Sequence, residues 1–324
     1  MLPPPKKILV IRFSSIGDLV LTSPVYRCLK AKYPNAEVHL TVKKKLSSVL
    51  QHNPYIDKII PLENGLLALA SKLRSERYDY VIDLHNNLRS AFLKVYLGVP
   101  SSSVKKMHWD KWRMVKWKKQ IKVPHIVDRY LETGQELGLA YDGLGLDHFT
   151  DLEAQNWLQH EFLKHYNDNP FVVFSIGGQF ATKRLPMDKW KQIAAKLDLP
   201  IHVIGGKEDM EMGQEIQQAF PEQVINWTGK LTINQSAELI KVASKVFTND
   251  TGMMHIAAAY NKDIDVFWGN TVPGFGMYPF YPDTAPANAV NFEVLGLSCR
   301  PCSKIGFKSC PKGHFNCMKL QEVG

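Results

Sequence analysis

Short runs of aliphatic and β-branched residues alternate with amphipathic stretches along the whole chain. KILVIRF is followed by LVLTSPVYRCLKAKY, EVHLTV by SSVLQHN, and YDYVIDL by NLRSAFLKVYLG. Apolar runs of strand length between stretches of helical period predict βαβ units on a parallel sheet. The rhythm restarts after residue 166, where PFVVFSIGG, PIHVIGG, VINWTG, KVFTND and DIDVFWG read as strands, several closing on glycine or a small polar residue. MDKWKQIAAKL and INQSAELIKVA lie between them as helices. Residues 152–166 read as a helix ended by NDNP, a natural break. The pattern predicts an α/β protein of two Rossmann-like, doubly wound domains, 1–166 and 167–324. They are expected to face a cleft, since open parallel sheets bind ligands outside the carboxyl ends of their strands. The C-terminal tail is left free to pack back on the first domain.

With 324 residues and 45% apolar content, the chain can fill two cores. No stretch reaches the roughly 18 uninterrupted apolar residues of a membrane span. The N-terminal apolar run is too short, and lacks the cleavage site, for a signal peptide, so the expected compartment is the cytoplasm. A net charge of +9 favours anionic partners: phosphorylated substrates, acidic lipid surfaces or nucleic acid. Part of it lies in residues 101–122, where Lys105, Lys106 and Arg113 interleave with Trp109, Trp112 and Trp117. That segment reads as a solvated connection whose tryptophans cover the domain edge. It reads equally as a docking surface for a large anionic amphiphile at the inner leaflet, and nucleic acid would use the same composition. Of the 5 cysteines, Cys28 stands alone, while Cys299, Cys302, Cys310 and Cys317 crowd the C-terminus. They have the inventory of a zinc site without the usual second CxxC, and thiols packing a loop-rich tail are the alternative.

Candidate chemistry sits in three loops. In RFSSIGDLVLTSP (residues 12–24), serines and a glycine lie between a strand and a helix, where backbone and hydroxyl donors can face an anion and Gly17 permits close approach. The loop is not GxGxxG and no acidic residue closes a second strand, which disfavours a nicotinamide site. Asp18 reads as a helix cap. Because Ser23–Pro24 makes a better cap and first-turn pair for the same helix, it reads also as a carboxylate left for general-base work. In FSIGGQFATKRLPMDKW, a loop with Gly178 precedes Lys183 and Arg184, two cations where a diphosphate can lie. In KVFTNDTGMMHIAAA, a strand ends at Asp250, Thr251 and Gly252 open a helix, and His255 shares a face with Thr251. Taken alone, each also reads as a cap or a satisfied polar group.

In this order and spacing, SSIGDLVLTSP, YDYVIDLHNNLRSA, GGQFATKRLPMDKW, NDTGMMHIAAA and SCRPCSKIGFKSCPKGHFNCM resemble the bacterial heptosyltransferases of glycosyltransferase family nine, which build the inner core of lipopolysaccharide. The likeness covers nearly the whole chain. It implies a B-type glycosyltransferase fold whose first domain receives the acceptor and whose second holds a nucleotide sugar, ADP-heptose. It implies Asp18 as the base for the acceptor hydroxyl, Lys183 with Asp250, Thr251 and Gly252 at the donor diphosphate, and His255 beside them. A further pocket residue falls at Glu208 or Asp209, and Leu231 falls where an apolar side chain packs on adenine. Ser14, Ser15, Gly17, Gly178 and Arg184 are assigned to the donor side, and Lys105, Lys106, Trp109, Trp112 and Arg113 to the acceptor. Leu185 stands where the family commonly has tryptophan, which removes an aromatic wall from the donor pocket. The resemblance accounts for the cysteines without a metal.

The expected reaction is thus inverting and free of metal or other cofactor. A helix N-terminus and Lys183 receive the departing charge while Asp18 deprotonates the incoming hydroxyl. The expected partners are a nucleotide sugar, a lipid-linked anionic saccharide and, transiently, the cytoplasmic face of the inner membrane, with no nucleic acid. Two alternatives stand beside it: a same-fold enzyme or epimerase acting on another nucleotide sugar, and a basic polyanion- or membrane-binding protein without catalysis.

Overall fold

The computed structural model describes residues 4–166 and 169–323. Its chain falls into two compact units. One comprises the chain up to Lys106 with Pro124–Phe149 and Pro282–Thr284; the other comprises Met107–Val123, Thr150–Tyr281 and the chain from Ala285 onward. The boundary read at NDNP touches residues 167 and 168, which lie outside the described residues.

In the first unit, β1 (Lys7–Ile11), β2 (Glu37–Lys43), β3 (Lys58–Leu62), β4 (Tyr80–Asp83) and β5 (Ser101–Ser103) stand in the order β3-β2-β1-β4-β5, every pair parallel. KILVI is apolar on both faces and so takes the centre, as a strand covered on both sides must. Ile8, Leu9, Val10 and Ile11 are fully buried, and Ile8 pairs with Val38 on one side and Tyr80 on the other. Strand order reverses between β1 and β4, whose carboxyl ends therefore frame the position where such sheets hold ligands. The sequence pattern missed β3, which carries Pro61, and β5, which is three serines. Both are edge strands, where one side needs no ladder donor and water covers part of the surface.

LVLTSPVYRCLKAKY, expected as one helix, is two, Ile16–Val20 and Ser23–Lys32. Pro24 is the cause: it cannot continue a helix but suits the first turn of a new one. Thr22, not Ser23, is the N-cap, and the Ser23 hydroxyl donates to the Val20 carbonyl. SSVLQHN yields only the 3₁₀ turn Lys44–Val49. Helix Leu88–Leu97 is as read, opened by a reciprocal cap between Asn87 and Ser90. Arg27 anchors the returning segment Pro124–Phe149. Its Nε and Nη2 lie 2.6 and 2.8 Å from the Asp142 carboxylate, Nη2 donates to the Gly145 carbonyl at 2.8 Å, and Nη1 pairs with Asp147.

In the second unit, β6 (Val172–Ser175), β7 (Ile201–Ile204), β8 (Val224–Asn226), β9 (Lys245–Asn249), β10 (Asp263–Trp268) and β11 (Ala289–Glu293) are parallel in the order β11-β10-β9-β6-β7-β8. Order reverses between β6 and β9. The core is Val172, Phe174, Trp190, Phe247 and Phe267 with neighbours. The unit also takes in residues 150–166, where Asn234 Nδ2 donates to Asp151 Oδ2 at 2.6 Å. The connection expected at 101–122 contains a helix, His108–Trp117, seated on this unit through Met114, Val123 and Phe275. The tail is part of the second unit: Met318 is buried in its core, and Gln321 Nε2 donates to the Trp268 carbonyl at 3.0 Å. Among the described residues, no helix is long and apolar enough to cross a membrane.

Replacing Arg27 with Met would leave Asp142 and Asp147 without their cation. Losing one side of a largely buried pair costs about 3 kcal/mol, so the first unit should unfold at visibly lower urea. A superimposable denaturation curve would show the pair to be dispensable.

Candidate active site

The turn behind β1 is organised by Arg12, the cation that directly follows the buried strand. Its Nη2 lies 2.6 Å from Asp18 Oδ1, Nε donates to the Ser14 carbonyl at 2.8 Å, and Nη1 donates to the Leu84 carbonyl at 2.5 Å. The guanidinium also lies over the Tyr130 ring, 5.6 Å from its centroid. Asp18 Oδ2 accepts from Ser15 N at 3.0 Å and from Ser15 Oγ at 2.7 Å. Asp18 is therefore a first-turn cap of its own helix as well as a candidate base, and the two readings are not exclusive. Both Ser15 donors, expected to face an anion, are taken by Asp18. Burial pushes the Asp18 carboxyl up, but the Arg12 charge and the Ser15 bonds outweigh it and hold the pKa near about 2. The group stays ionised at any working pH.

Beyond β4 stands His85, its ring edge-on to Phe13 at 5.1 Å. Burial, then the charges of Arg12 and Lys106, push its pKa down to about 4, which keeps the imidazole neutral at pH 7. Its buried Nδ1 has no hydrogen-bond partner among the described residues. Asp83, at the end of β4, accepts from the backbone N–H groups of His85 and Asn86 at 3.0 and 2.7 Å and so fixes the turn.

In the second unit, the fully buried Asn249 ties three segments together. Its Nδ2 donates to the carbonyls of Ile176 and Gly177 at 3.0 and 3.1 Å, and its Oδ1 accepts from Leu185 N at 3.0 Å. That brings the loop after β6, the KRLP stretch and the end of β9 to one place. Lys183 Nζ lies 2.6 Å from Asp250 Oδ2, which also accepts from Thr271 Oγ1 at 2.7 Å. Arg184 Nη1 lies 3.0 Å from Asp209 Oδ1, and its Nε donates to the Gly178 carbonyl at 2.6 Å. A Cβ at 177 or 205 would stand 2.8 Å from Asp209 Oδ2, and at 205 also 2.9 Å from Asp209 Cβ, so glycine at 205 makes the room in which Asp209 sits. Of the two candidates after β7, Asp209 is consumed inside the loop and Glu208 is exposed. Thr251 precedes helix Gly252–Ala259 as N-cap, yet its side chain makes no cap bond. The first N–H groups of that helix therefore lack a side-chain acceptor from the cap. His255 lies buried within the helix and Leu231 is half-buried before Thr232. Leu185 is fully buried in the core with Trp190, so no pocket wall is lost by its not being aromatic.

The sequence model of glycosyltransferase family 9 (heptosyltransferase) matches residues 66–306. The chain belongs to glycosyltransferase family 9. It is 29% identical over 298 residues to lipooligosaccharide heptosyltransferase 2 of Haemophilus influenzae, covering 83% of this chain and 84% of that one. To lipopolysaccharide heptosyltransferase 2 of Escherichia coli it is 28% identical over 299 residues, with the same two coverages of 83% and 84%. Its fold is similar to that of a family 9 glycosyltransferase from Veillonella parvula (TM-score 0.76, 23% identity, 97% of this chain and 93% of that one). It is similar also to ADP-heptose lipopolysaccharide heptosyltransferase II of Escherichia coli (TM-score 0.69, 22% identity, 97% and 98%).

In this glycosyltransferase the residues read as an acceptor surface are divided: Lys105 and Lys106 belong to the first unit, and Trp109, Trp112 and Arg113 to the second. Lys105 pairs with Glu132 at 2.6 Å, and Arg113 lies 3.7 Å from Asp110. Trp109 stacks on Trp112 at 4.9 Å, with Trp117 edge-on to both, and the three are 61%, 39% and 52% exposed. Cys299, Cys302, Cys310 and Cys317 are free thiols lining one small cavity, with Cys299 Sγ 3.8 Å from His314 Nε2. Among the described residues, no three His, Cys, Asp or Glu side chains are placed to hold a metal ion. Arg12, His85 and Asn249 were missed by the sequence reading. Arg12 alone had a sequence mark, a cation at the last step of an apolar run, next to a loop with an aspartate.

If Asp18 acts as a base, its active form is the carboxylate, present above its pKa and lost only as pH falls through about 2. It should then contribute no acid limb to the turnover profile between about pH 5 and about 8. Arg12→Gln should return Asp18 toward or above the ordinary 3.8 and bring that limb upward. Carbon NMR titration of the Asp18 carboxyl reads this directly, and an Asp18 still ionised at about pH 3 in the variant would exclude Arg12 as the cause.

Proposed function

We propose that the enzyme moves heptose from ADP-heptose to a hydroxyl of the lipopolysaccharide inner core, with inversion and without a metal ion or other cofactor. The observation that carries this reading is Asp18, held ionised at the carboxyl end of the central strand in a chain whose relatives are named heptosyltransferases. Glycosyl transfer passes through an oxocarbenium-like transition state. The acceptor oxygen loses its proton late, when bonding to carbon has made it strongly acidic, so a carboxylate with a pKa near about 2 is a sufficient base.

Donor binding is assigned to Lys183, Arg184 and the N-terminal N–H groups of helix Gly252–Ala259. Their positive charge meets the negative charge developing on the departing ADP, the work a divalent ion does in other transferases. Lys183 is paired with Asp250 and Arg184 with Asp209, and an incoming diphosphate would share both cations. Deprotonation of the acceptor hydroxyl by Asp18 as it attacks is a single displacement, which inverts the anomeric centre.

Trp109, Trp112 and Trp117, exposed beside Lys111 and Lys116, support transient contact with the anionic inner-membrane surface, where a lipid-linked acceptor would be met.

Incubation with ADP-heptose and a truncated core should add one heptose to the acceptor mass. Asp18→Asn should lower turnover by at least about 1,000-fold while leaving ADP affinity within about twofold; near-normal turnover would remove Asp18 from the base role. Lys183→Ala should weaken ADP binding by about 10- to 100-fold. Activity with UDP- or GDP-sugars but not ADP-heptose would favour the alternative of another donor.

A further inference from the structure

The turns behind β1 and β4 are held side by side. Ile11 pairs with Asp83 across the two strands, and the Leu84 N–H donates to the Ile11 carbonyl at 3.1 Å. Arg12 spans both turns, with Nη1 donating to the Leu84 carbonyl at 2.5 Å and Nη2 2.6 Å from Asp18. His85 follows Leu84 directly. Its N–H donates to Asp83 Oδ1 at 3.0 Å, and its ring stands edge-on to Phe13 at 5.1 Å. The imidazole therefore sits on a fixed turn where strand order reverses, in the same hydrogen-bonded frame as Asp18.

Burial, then the charges of Arg12 and Lys106, keep the ring neutral at pH 7, with one hydrogen and one lone pair on its two nitrogens. Nδ1 is closed off and has no partner among the described residues. The residue as a whole is only half-buried, and Nε2 is not among the closed-off atoms. An N–H buried without an acceptor is the costlier orphan, so the hydrogen belongs on Nε2, the nitrogen a ligand can reach. The result is an uncharged donor next to an ionised carboxylate. A lysine or arginine in its place would pair with Asp18 and weaken it further as a base, whereas a neutral N–H can hold an oxygen without altering that charge. One acceptor of protons and one neutral donor, side by side, match two adjacent hydroxyls of a sugar.

We infer that His85 is a specificity residue of the acceptor site, whose Nε2–H donates to the sugar hydroxyl next to the one that Asp18 deprotonates. The inference rests on the proposed reading, in which Asp18 is the base and the acceptor is a saccharide. The unit recognised is then a pair of neighbouring hydroxyls, one giving its proton to Asp18 and the other accepting from His85. Holding the second fixes the rotation of the sugar and so decides which hydroxyl is presented to the base.

The test is calorimetric binding of a truncated core acceptor in the absence of donor, which reads the contact apart from the transfer. The intact acceptor is compared with monodeoxy forms of its terminal sugar, each lacking one hydroxyl. His85→Asn, whose amide nitrogen falls at the level of Nδ1, should weaken binding of the intact acceptor by about 5- to 20-fold, while His85→Gln, whose amide nitrogen reaches the level of Nε2, should stay within about threefold of wild type. ADP affinity should stay within about twofold of wild type in both variants. One deoxy form should cost the wild type a similar factor and cost His85→Asn almost nothing further, and the hydroxyl it lacks should adjoin the one found heptosylated in the product. Equal losses in His85→Asn and His85→Gln would overturn the inference, since a donor at Nε2 would not be what matters. So would a His85→Asn protein that loses as much as wild type against every deoxy form, or a partner hydroxyl that does not adjoin the heptosylated one. Should His85→Asn fail to fold, His85→Phe, which keeps a ring against Phe13 and lacks both nitrogens, takes its place. Acceptor binding without any heptose transfer would count against the proposed reaction, and the pairing of His85 with one hydroxyl would still decide the inference.

Discussion

A carboxylate next to an apolar sheet ordinarily takes up a proton, because low dielectric disfavours its charge. Asp18 escapes this through two Ser15 hydrogen bonds and, above all, the Arg12 guanidinium, whose three nitrogens are spent on three different groups. One meets Asp18, one holds the carbonyl of Ser14 in the same turn, and one reaches the Leu84 carbonyl behind β4. A single planar cation thereby sets the charge of the candidate base, the shape of the loop that carries it, and the spacing of the two strand ends where sheet order reverses. Lysine has neither the planar fork nor the reach to several acceptors at once.

The second unit uses ion pairs at the corresponding place to a different end. Lys183 with Asp250 and Arg184 with Asp209 keep two cations in position while their charges are cancelled. Under the proposed reading such a site is poised: an arriving diphosphate would meet donors already oriented and need only share them with the carboxylates. Asn249 supplies the rigidity, since its amide bonds three backbone segments that would otherwise be free to part.

Legibility in the sequence followed burial. Strands covered on both faces announce themselves as continuous apolar runs, and KILVI, VVFS and DIDVFW lie at or next to the sheet centres as their composition requires. β3, β5 and β11 were not read because each is an edge strand without a clear apolar run, one carrying Pro61, one made of three serines and one largely exposed, whose pairing is imposed by its neighbour. The helix His108–Trp117 was hidden for a related reason. Its one buried residue, Met114, is too small an apolar stripe to register among lysines and tryptophans.

The sequence by itself determined the alternation of strand and helix, the loops that carry the candidate chemistry and the family to which the chain belongs, because local periodicity and short motifs need no partner distant in the chain. Tertiary structure alone decided what those loops can do. Ser15 bonding to Asp18 and the charge of Asp18 depend on the shape of one turn, which brings Arg12, Ser15 and Asp18 together, while the engagement of Asp209 by Arg184 and the packing of Leu185 depend on groups from other segments. Charge and hydrogen bonding act through space, and only the folded chain fixes which distant partner comes within reach.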